Sequence, residues 1–328
     1  MTRSGHCLQS TPDEIQLMAH YSSSYPARFQ YFLRAASIGS MAILVVILGT
    51  LAVEPDFGLK LVWSLIIPAA PLIFFLIPNI WVSLCPFAIM QSIPRRLNLT
   101  RQKELTEKQT RWLRMLSWGL LFTLVPARHL LFNHDALILL LSTLVLLTVA
   151  IFFGFNYKGL SGWCMGACPI RPVEMMYGQF TLERCRPEIC TICEECNENC
   201  SRLRVQSREV MEANNARYKY LVFVFPGFVL GYYLTGPEMS ALSVYGVVYG
   251  LSLASLTLFG LIDLRFPNLR IMNHTIIMAL VIYYAFAIPG LVEAWALPDV
   301  TTSFMYASVF GIIALNLIRF YWYKPANI

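Results

Sequence analysis

The chain has 328 residues, 57% hydrophobic and only 13% charged, with 25 Lys and Arg against 19 Asp and Glu. An ordinary soluble domain carries about 25% charged residues, so this composition excludes a typical water-soluble enzyme. The net charge of +6 would suit a nucleic-acid binder if it were gathered on one face, but the cations follow the segments between apolar blocks, and nucleic acid is excluded as a partner.

Residues 1–33 are polar and read as a cytoplasmic N-terminal tail. Within it Thr11-Pro12-Asp13-Glu14 reads as a helix start, with Thr11 as N-cap and Pro12 at the first helical position. No secretory leader is expected, because the first apolar block is too long and lacks a small-residue cleavage site. A bilayer-spanning helix needs about 20 apolar residues. Eight such blocks follow, at 34–53, 61–83, 113–133, 136–156, 218–235, 239–262, 272–294 and 301–323. The second is broken by Pro68, Pro71 and Pro78, and the fifth is short and contains Pro226. An open chain in lipid must satisfy its backbone polar groups internally, so the fold class is an all-α polytopic membrane protein with about eight transmembrane helices, in contact with membrane lipid.

With the N-terminus placed in the cytoplasm, twenty-three of the 25 Lys and Arg fall in cytoplasmic segments. Lys60 alone falls in an external loop and Arg128 within a span. This asymmetry predicts a multi-pass protein of a bacterial inner (cytoplasmic) membrane with both termini cytoplasmic. The chain then divides into the first four helices over 34–156 with a basic cytoplasmic loop at 84–112, a cytoplasmic cysteine-rich segment at 157–217, and the last four helices over 218–328. The expected external connections are short (54–60, 133–135, 235–238, 293–299), so the long cytoplasmic segments are the expected working surface.

An internal echo marks the first half. Trp81-Val-Ser-Leu-Cys85-Pro86 follows the second block, and Trp163-Cys164-Met-Gly-Ala-Cys168-Pro169 follows the fourth. Each is a Trp, then a Cys-Pro pair, then an apolar stretch, as a duplicated helical hairpin would produce. In the third block stand Arg128 and His129, with His134 and Asp135 just beyond. An intramembrane Arg marks a functional site by default, here a quinone head-group or proton site; an interfacial Arg snorkelling to head groups is the plainer reading. His129 and His274 fall near opposite faces and cannot be the two axial ligands of one haem.

Cysteine carries the chemistry. Of nine cysteines, Cys190-Thr-Ile-Cys193-Glu-Glu-Cys196-Asn-Glu-Asn-Cys200 has the C-x2-C-x2-C-x3-C spacing of bacterial ferredoxins. Three thiolates separated by two residues each can wrap one cubane, while the fourth commonly serves a neighbouring cluster. A disulfide framework is disfavoured in the reducing cytosol. Structural zinc normally uses two Cys-x2-Cys pairs a dozen or more residues apart. Without Cys7, eight cysteines remain: Cys85, Cys164, Cys168, Cys185, Cys190, Cys193, Cys196 and Cys200. That number suits two [4Fe-4S] clusters, with Cys190, Cys193 and Cys196 on one and Cys200 joining Cys164, Cys168 and a remote thiol on the other. Spacing does not decide whether Cys85 or Cys185 completes which, and a single cluster with structural Cys-Pro cysteines is the sparser alternative. The acidic residues Glu188, Glu194, Glu195 and Glu198 crowd the run, with Arg184, Arg186, Arg202, Arg204 and Arg208 flanking it. Such charges form a solvated face or a docking surface for a redox partner.

At these residues the sequence resembles the NapH/NosR/CcoG group of membrane-bound ferredoxin-like proteins. Trp163 to Pro169 fits that group's C-x3-CP motif. Trp81 to Pro86 fits it with Trp81 in place of the first cysteine, and the Cys190 run fits its ferredoxin pattern. The chain departs in having one ferredoxin run and in Ser201 after Cys200. Over roughly 34–205, the resemblance implies a cytoplasmic-side ferredoxin-like loop and electron transfer linked to the quinone pool, to a partner redox protein or to the subunits of a membrane complex. The expected function is electron relay between a quinone or soluble donor and such a partner. An assembly factor that reduces a metal or thiol for another enzyme is one alternative, and a cluster-bearing sensor or transport module is another.

Overall fold

The computed structural model describes residues 27–78, 81, 84–158, 160–180, 215–266 and 271–322. Among these it is helical, with one isolated bridge between Lys103 and Tyr157 and no strand. Ten helices organise it: α1 (Ala27–Val53), α2 (Pro55–Leu76), α3 (Pro86–Arg96), α4 (Glu107–Phe132), α5 (Ala136–Asn156), α6 (Arg171–Tyr177), α7 (Asn215–Leu234), α8 (Ala241–Arg265), α9 (Ile271–Ala294) and α10 (Asp299–Trp322). Seven of them, α1, α2, α4, α5, α8, α9 and α10, are long and apolar enough to cross a membrane. Large apolar side chains such as Val45, Val145, Leu242 and Leu315 stay exposed on their outer faces, as a lipid-facing surface requires. The protein is a multi-pass membrane protein.

The fifth expected span is α7, whose apolar part, Tyr218–Leu234, is shorter than the other seven. It packs deep in the bundle: Val222, Phe223, Phe225, Phe228, Val229 and Tyr232 are all buried. Gly227 lets it approach α8 so closely that an added Cβ would stand 2.0 Å from the Leu251 carbonyl oxygen. Small residues at such crossings are the usual device of helix packing in lipid.

The second span runs over 55–76 rather than 61–83. Pro55 sits in its first turn, where a missing N–H costs nothing, and the helix stops at Ile77, whose backbone (φ −143°, ψ 58°) has left the helical region ahead of Pro78. Lys60, expected in an external loop, therefore lies inside α2, with its ammonium 4.5 Å from the Trp295 ring centre. The third span starts at Glu107 rather than 113, because Thr106 and Gln109 form a reciprocal capping box. Likewise α1 begins at Ala27, inside the segment read as tail, while the helix start at Thr11 lies outside the described residues.

Helix-interior prolines should weaken such a bundle, since each leaves the carbonyl four residues earlier without its N–H partner. Four of those carbonyls are recovered from neighbouring helices or, for Trp295, from the turn that follows α9. Pro68 frees Ser64, which accepts from Trp295 Nε1 at 3.4 Å. Pro71 frees Ile67, which accepts from the Tyr283 hydroxyl at 3.3 Å. Pro126 frees Phe122, reached by the Tyr249 hydroxyl at 3.1 Å, and Pro289 frees Ala285, reached by the Tyr306 hydroxyl at 2.6 Å. Aromatic donors from neighbouring segments thus complete the backbone of these helices, which lipid cannot do.

The core lies where short α6 enters the bundle. Met176, Tyr177 and Phe180 are buried among Phe74 and Phe75 of α2, Phe225 of α7 and Leu280 and Tyr284 of α9. Asn316 of α10 donates to the Phe180 carbonyl at 2.8 Å. Residues 160–180, expected as part of a cytoplasmic segment, are therefore built into the helical bundle.

Candidate functional site

Two Cys-Pro turns lie side by side against α4 and α5. Cys85 is the N-cap of α3, in extended conformation, with Pro86 in the first turn. Its sulfur accepts the backbone N–H groups of Phe87 and Ala88. Cys168 follows the π-turn Trp163–Ala167 in a similarly extended conformation and precedes Pro169. Its sulfur accepts the N–H groups of Ile170 and Arg171. In both turns the sulfur is bonded by the residues two and three positions on, so the echo in sequence is also an echo in structure.

Several contacts join the turns. Phe87 stacks on Trp163 with ring centres 6.1 Å apart, and both pack with Cys164 and Cys168 in one cluster that includes Ala150 and Ala167. Gln91, six residues beyond Cys85 on α3, accepts the Cys164 N–H on Oε1 at 3.1 Å. Ser117 of α4 donates to the Cys168 carbonyl at 2.5 Å. Gly154 holds α5 against α3, since a Cβ there would stand 2.1 Å from the Gln91 carbonyl oxygen. Ser40 of α1 donates to the Leu84 carbonyl, just before Cys85.

Cys85, Cys164 and Cys168 are free thiols that keep part of their surface open. Burial is the largest influence on all three. It pushes Cys85 up from 9.0 to about 11 and Cys168 to about 12, the latter raised further by charge on Cys85. Cys164 is also held well above its ordinary value, by burial and then by its two neighbouring thiols. Glu174 raises each of them, and Arg171 opposes it at Cys164. Arg171 and Glu174 form a buried ion pair at 3.0 Å.

Three polar atoms around these thiols are buried without a partner: Gln91 Nε2, Trp163 Nε1 and Glu174 Oε1. Gln91 and Trp163 are only 1% and 3% exposed. Among the described residues no three His, Cys, Asp or Glu side chains close to the spacing of a single ion. What the site offers is three thiols beside two N–H donors that lack an acceptor, Gln91 Nε2 and Trp163 Nε1, while Arg171 is already paired with Glu174. An iron–sulfur cluster spreads its thiolate ligands over several iron corners and takes hydrogen bonds at its sulfurs. Cys185, Cys190, Cys193, Cys196 and Cys200 lie outside the described residues.

The second expected site, Arg128 and His129, sits in the π-turn that ends α4. The Arg128 guanidinium lies 4.2 Å from the Trp63 ring centre and 5.5 Å from that of Tyr232, and its Nε donates to Asn133 Oδ1 at 2.8 Å. His129 stacks on Tyr232 at 4.3 Å with Nε2 3.0 Å from the Tyr232 carbonyl. Its Nδ1 is buried without a partner. Asp135 caps α5 through the Ile138 N–H.

Sequence reasoning passed over Gln91, Ser117, Arg171 and Glu174. The available signal was a lone amide in an apolar stretch, six residues from Cys85. Tyr232 and Trp63 gave no signal, because aromatics are common throughout apolar helices. No protein family, curated protein or solved structure matches this chain.

Proposed function

We propose that the chain is a membrane-bound iron–sulfur electron-transfer protein, relaying electrons between a quinone or soluble donor and a partner redox protein. The observation that carries this reading is the C-x2-C-x2-C-x3-C run from Cys190 to Cys200, on a chain with seven membrane-length helices. Cys190, Cys193 and Cys196 would hold a [4Fe-4S] cluster, and Cys200 would serve a neighbouring one. When bound, such a cluster carries one electron at a time. The buried thiols beside Gln91 and Trp163 support the reading, because they give the bundle a second set of cluster-type donors. His129, with a free ring nitrogen, is the residue best suited to take a proton from a quinol at the opposite end of α4. By the distribution of Lys and Arg, the run faces the cytoplasm of a bacterium and the His129 end faces outward.

The test is anaerobic purification followed by metal analysis and reduction kinetics. About four to eight irons per chain with matching sulfide are expected, together with cluster reduction by a quinol analogue or a low-potential soluble donor. Zinc at one per chain without visible absorbance, or clusters that no such donor reduces, overturns the reading.

A further inference from the structure

We propose that Cys85, Cys164 and Cys168 are three ligands of one iron–sulfur cluster set into the helical bundle and separate from the cluster of the Cys190 run. The inference deepens the electron-transfer reading and rests on it for the identity of the group.

The placement comes from the chain's own contacts. The Phe87–Trp163 stack and the bond from Cys164 N–H to Gln91 bring the two Cys-Pro turns together from segments 73 residues apart in the bonded pair. The three thiols belong to one electrostatic neighbourhood, in which Cys85 acts on both Cys164 and Cys168, and Cys168 on Cys164. Cys85 and Cys168 both receive two backbone N–H bonds, and hydrogen bonds to sulfur favour its charged form. Plain packing of apolar thiols would explain their burial, but not their surroundings. A buried N–H left unpaired costs about 1–3 kcal/mol, and two such donors, Gln91 Nε2 and Trp163 Nε1, stand beside these cysteines. A cluster would give both a sulfur acceptor. Each thiol gives up its proton to water as its sulfur bonds iron, so loading releases one proton per ligand.

Gln91 is then a positioning residue. Its Oε1 fixes the Cys164 backbone, and its Nε2 donates toward cluster sulfur, where hydrogen bonds raise the reduction potential.

The experiment uses the full chain, purified without oxygen, with iron and sulfide analysis and low-temperature electron paramagnetic resonance (EPR) after reduction. The wild type should hold about eight irons and show two signals. The double variant Cys164→Ser with Cys168→Ser should keep about half the iron and one signal. Cys85→Ser should lose that same signal and no other. Cys190→Ser with Cys193→Ser should lose the complementary one. The surviving signal in each variant reports that the chain still folds. Gln91→Leu, with every ligand intact, should keep all the iron and lower the potential of only the signal lost in Cys85→Ser. Unchanged iron and spectra in the Cys164/Cys168 variant overturn the proposal while leaving the electron-transfer reading in place. A Cys85→Ser variant that keeps both signals, or a Gln91→Leu variant that moves neither potential, overturns the site as drawn. Wild-type protein without iron overturns the electron-transfer reading itself.

Discussion

At the scale of single residues, burial and hydrogen bonding pull the Cys-Pro cysteines in opposite directions. Two N–H bonds lower the Cys85 thiol, yet burial wins and holds it near 11, with Cys168 near 12. A thiol raised above its ordinary value is protonated at neutral pH, and only the thiolate reacts with an alkylating agent. In metal-free protein, alkylation of Cys85 and Cys168 should therefore be slow near neutral pH and rise about tenfold per pH unit up to the shifted values. Mass spectrometry of peptides labelled across a pH series checks this, and a rate already flat above about pH 9 would mean that burial does not control these thiols. In the metal-loaded protein the same residues should resist labelling at every pH where the cluster survives. Half-buried Arg128 shows another use of a polar group. Trp63, Tyr232 and Asn133 surround it, so its charge fastens α4 to α2 and α7.

Elements show what the sequence could and could not disclose. The existence of the helices was legible, because runs of about 20 apolar residues have one stable form in lipid. Their ends were less so: α2 moved by six residues at its start, since a proline that breaks an apolar count can begin a helix as well as interrupt one. The depth of α6 was not legible at all. Its stretch Arg171-Pro-Val-Glu-Met-Met-Tyr177 carries two charges, and only the partner geometry shows that they neutralise each other inside the bundle. The run Cys190 to Cys200 was the clearest signal in the chain, whereas the pairing of Cys85 with Cys164 and Cys168 needed three-dimensional contact. The same holds for the proline carbonyls, whose donors lie as far away as Trp295 is from Ser64. Tyr306→Phe and Tyr249→Phe each remove one such donor and nothing else of size. Each should cost roughly 0.6 kcal/mol, the usual worth of a hydrogen bond between helices in lipid, read as earlier unfolding in detergent. Gly227→Ala should cost more, about 1–3 kcal/mol, because its Cβ would meet backbone of α8. Gly260→Ala, with nothing within 4 Å, is the matched control and should be neutral. Equal stability of the two alanine variants would contradict the close α7–α8 crossing.

The whole molecule relates its two polar sites through α4. Ser117 of that helix holds the Cys168 turn, and Arg128 and His129 stand eleven and twelve residues further along it. At 1.5 Å per residue the two sites are separated by about 16 Å along the helix axis, about half the thickness of a hydrocarbon core. Sequence position alone suggested a full membrane crossing, because residues 157–217 were read as lying outside the bundle. With the Cys-Pro turns packed in the bundle the path is shorter, and under the proposed electron relay a quinol at the His129 end would be a workable donor to a cluster at the thiols. The two residues should then separate in their roles. Quinol oxidation needs a proton acceptor, and His129 has a free ring nitrogen. His129→Gln should therefore slow cluster reduction by a quinol analogue by roughly a hundredfold or more, with iron content and thermal stability close to wild type. Arg128→Gln should instead lower thermal stability, because it strips the cation from between Trp63 and Tyr232, and any loss of rate should follow the loss of folded protein. Dithionite, which needs no proton acceptor in the protein, should reduce the clusters of both variants at the wild-type rate. Stopped-flow reduction by quinol and by dithionite on the same preparations decides the matter. Quinol reduction at the wild-type rate in His129→Gln would remove this residue from the mechanism and move the donor site to the other end of the bundle.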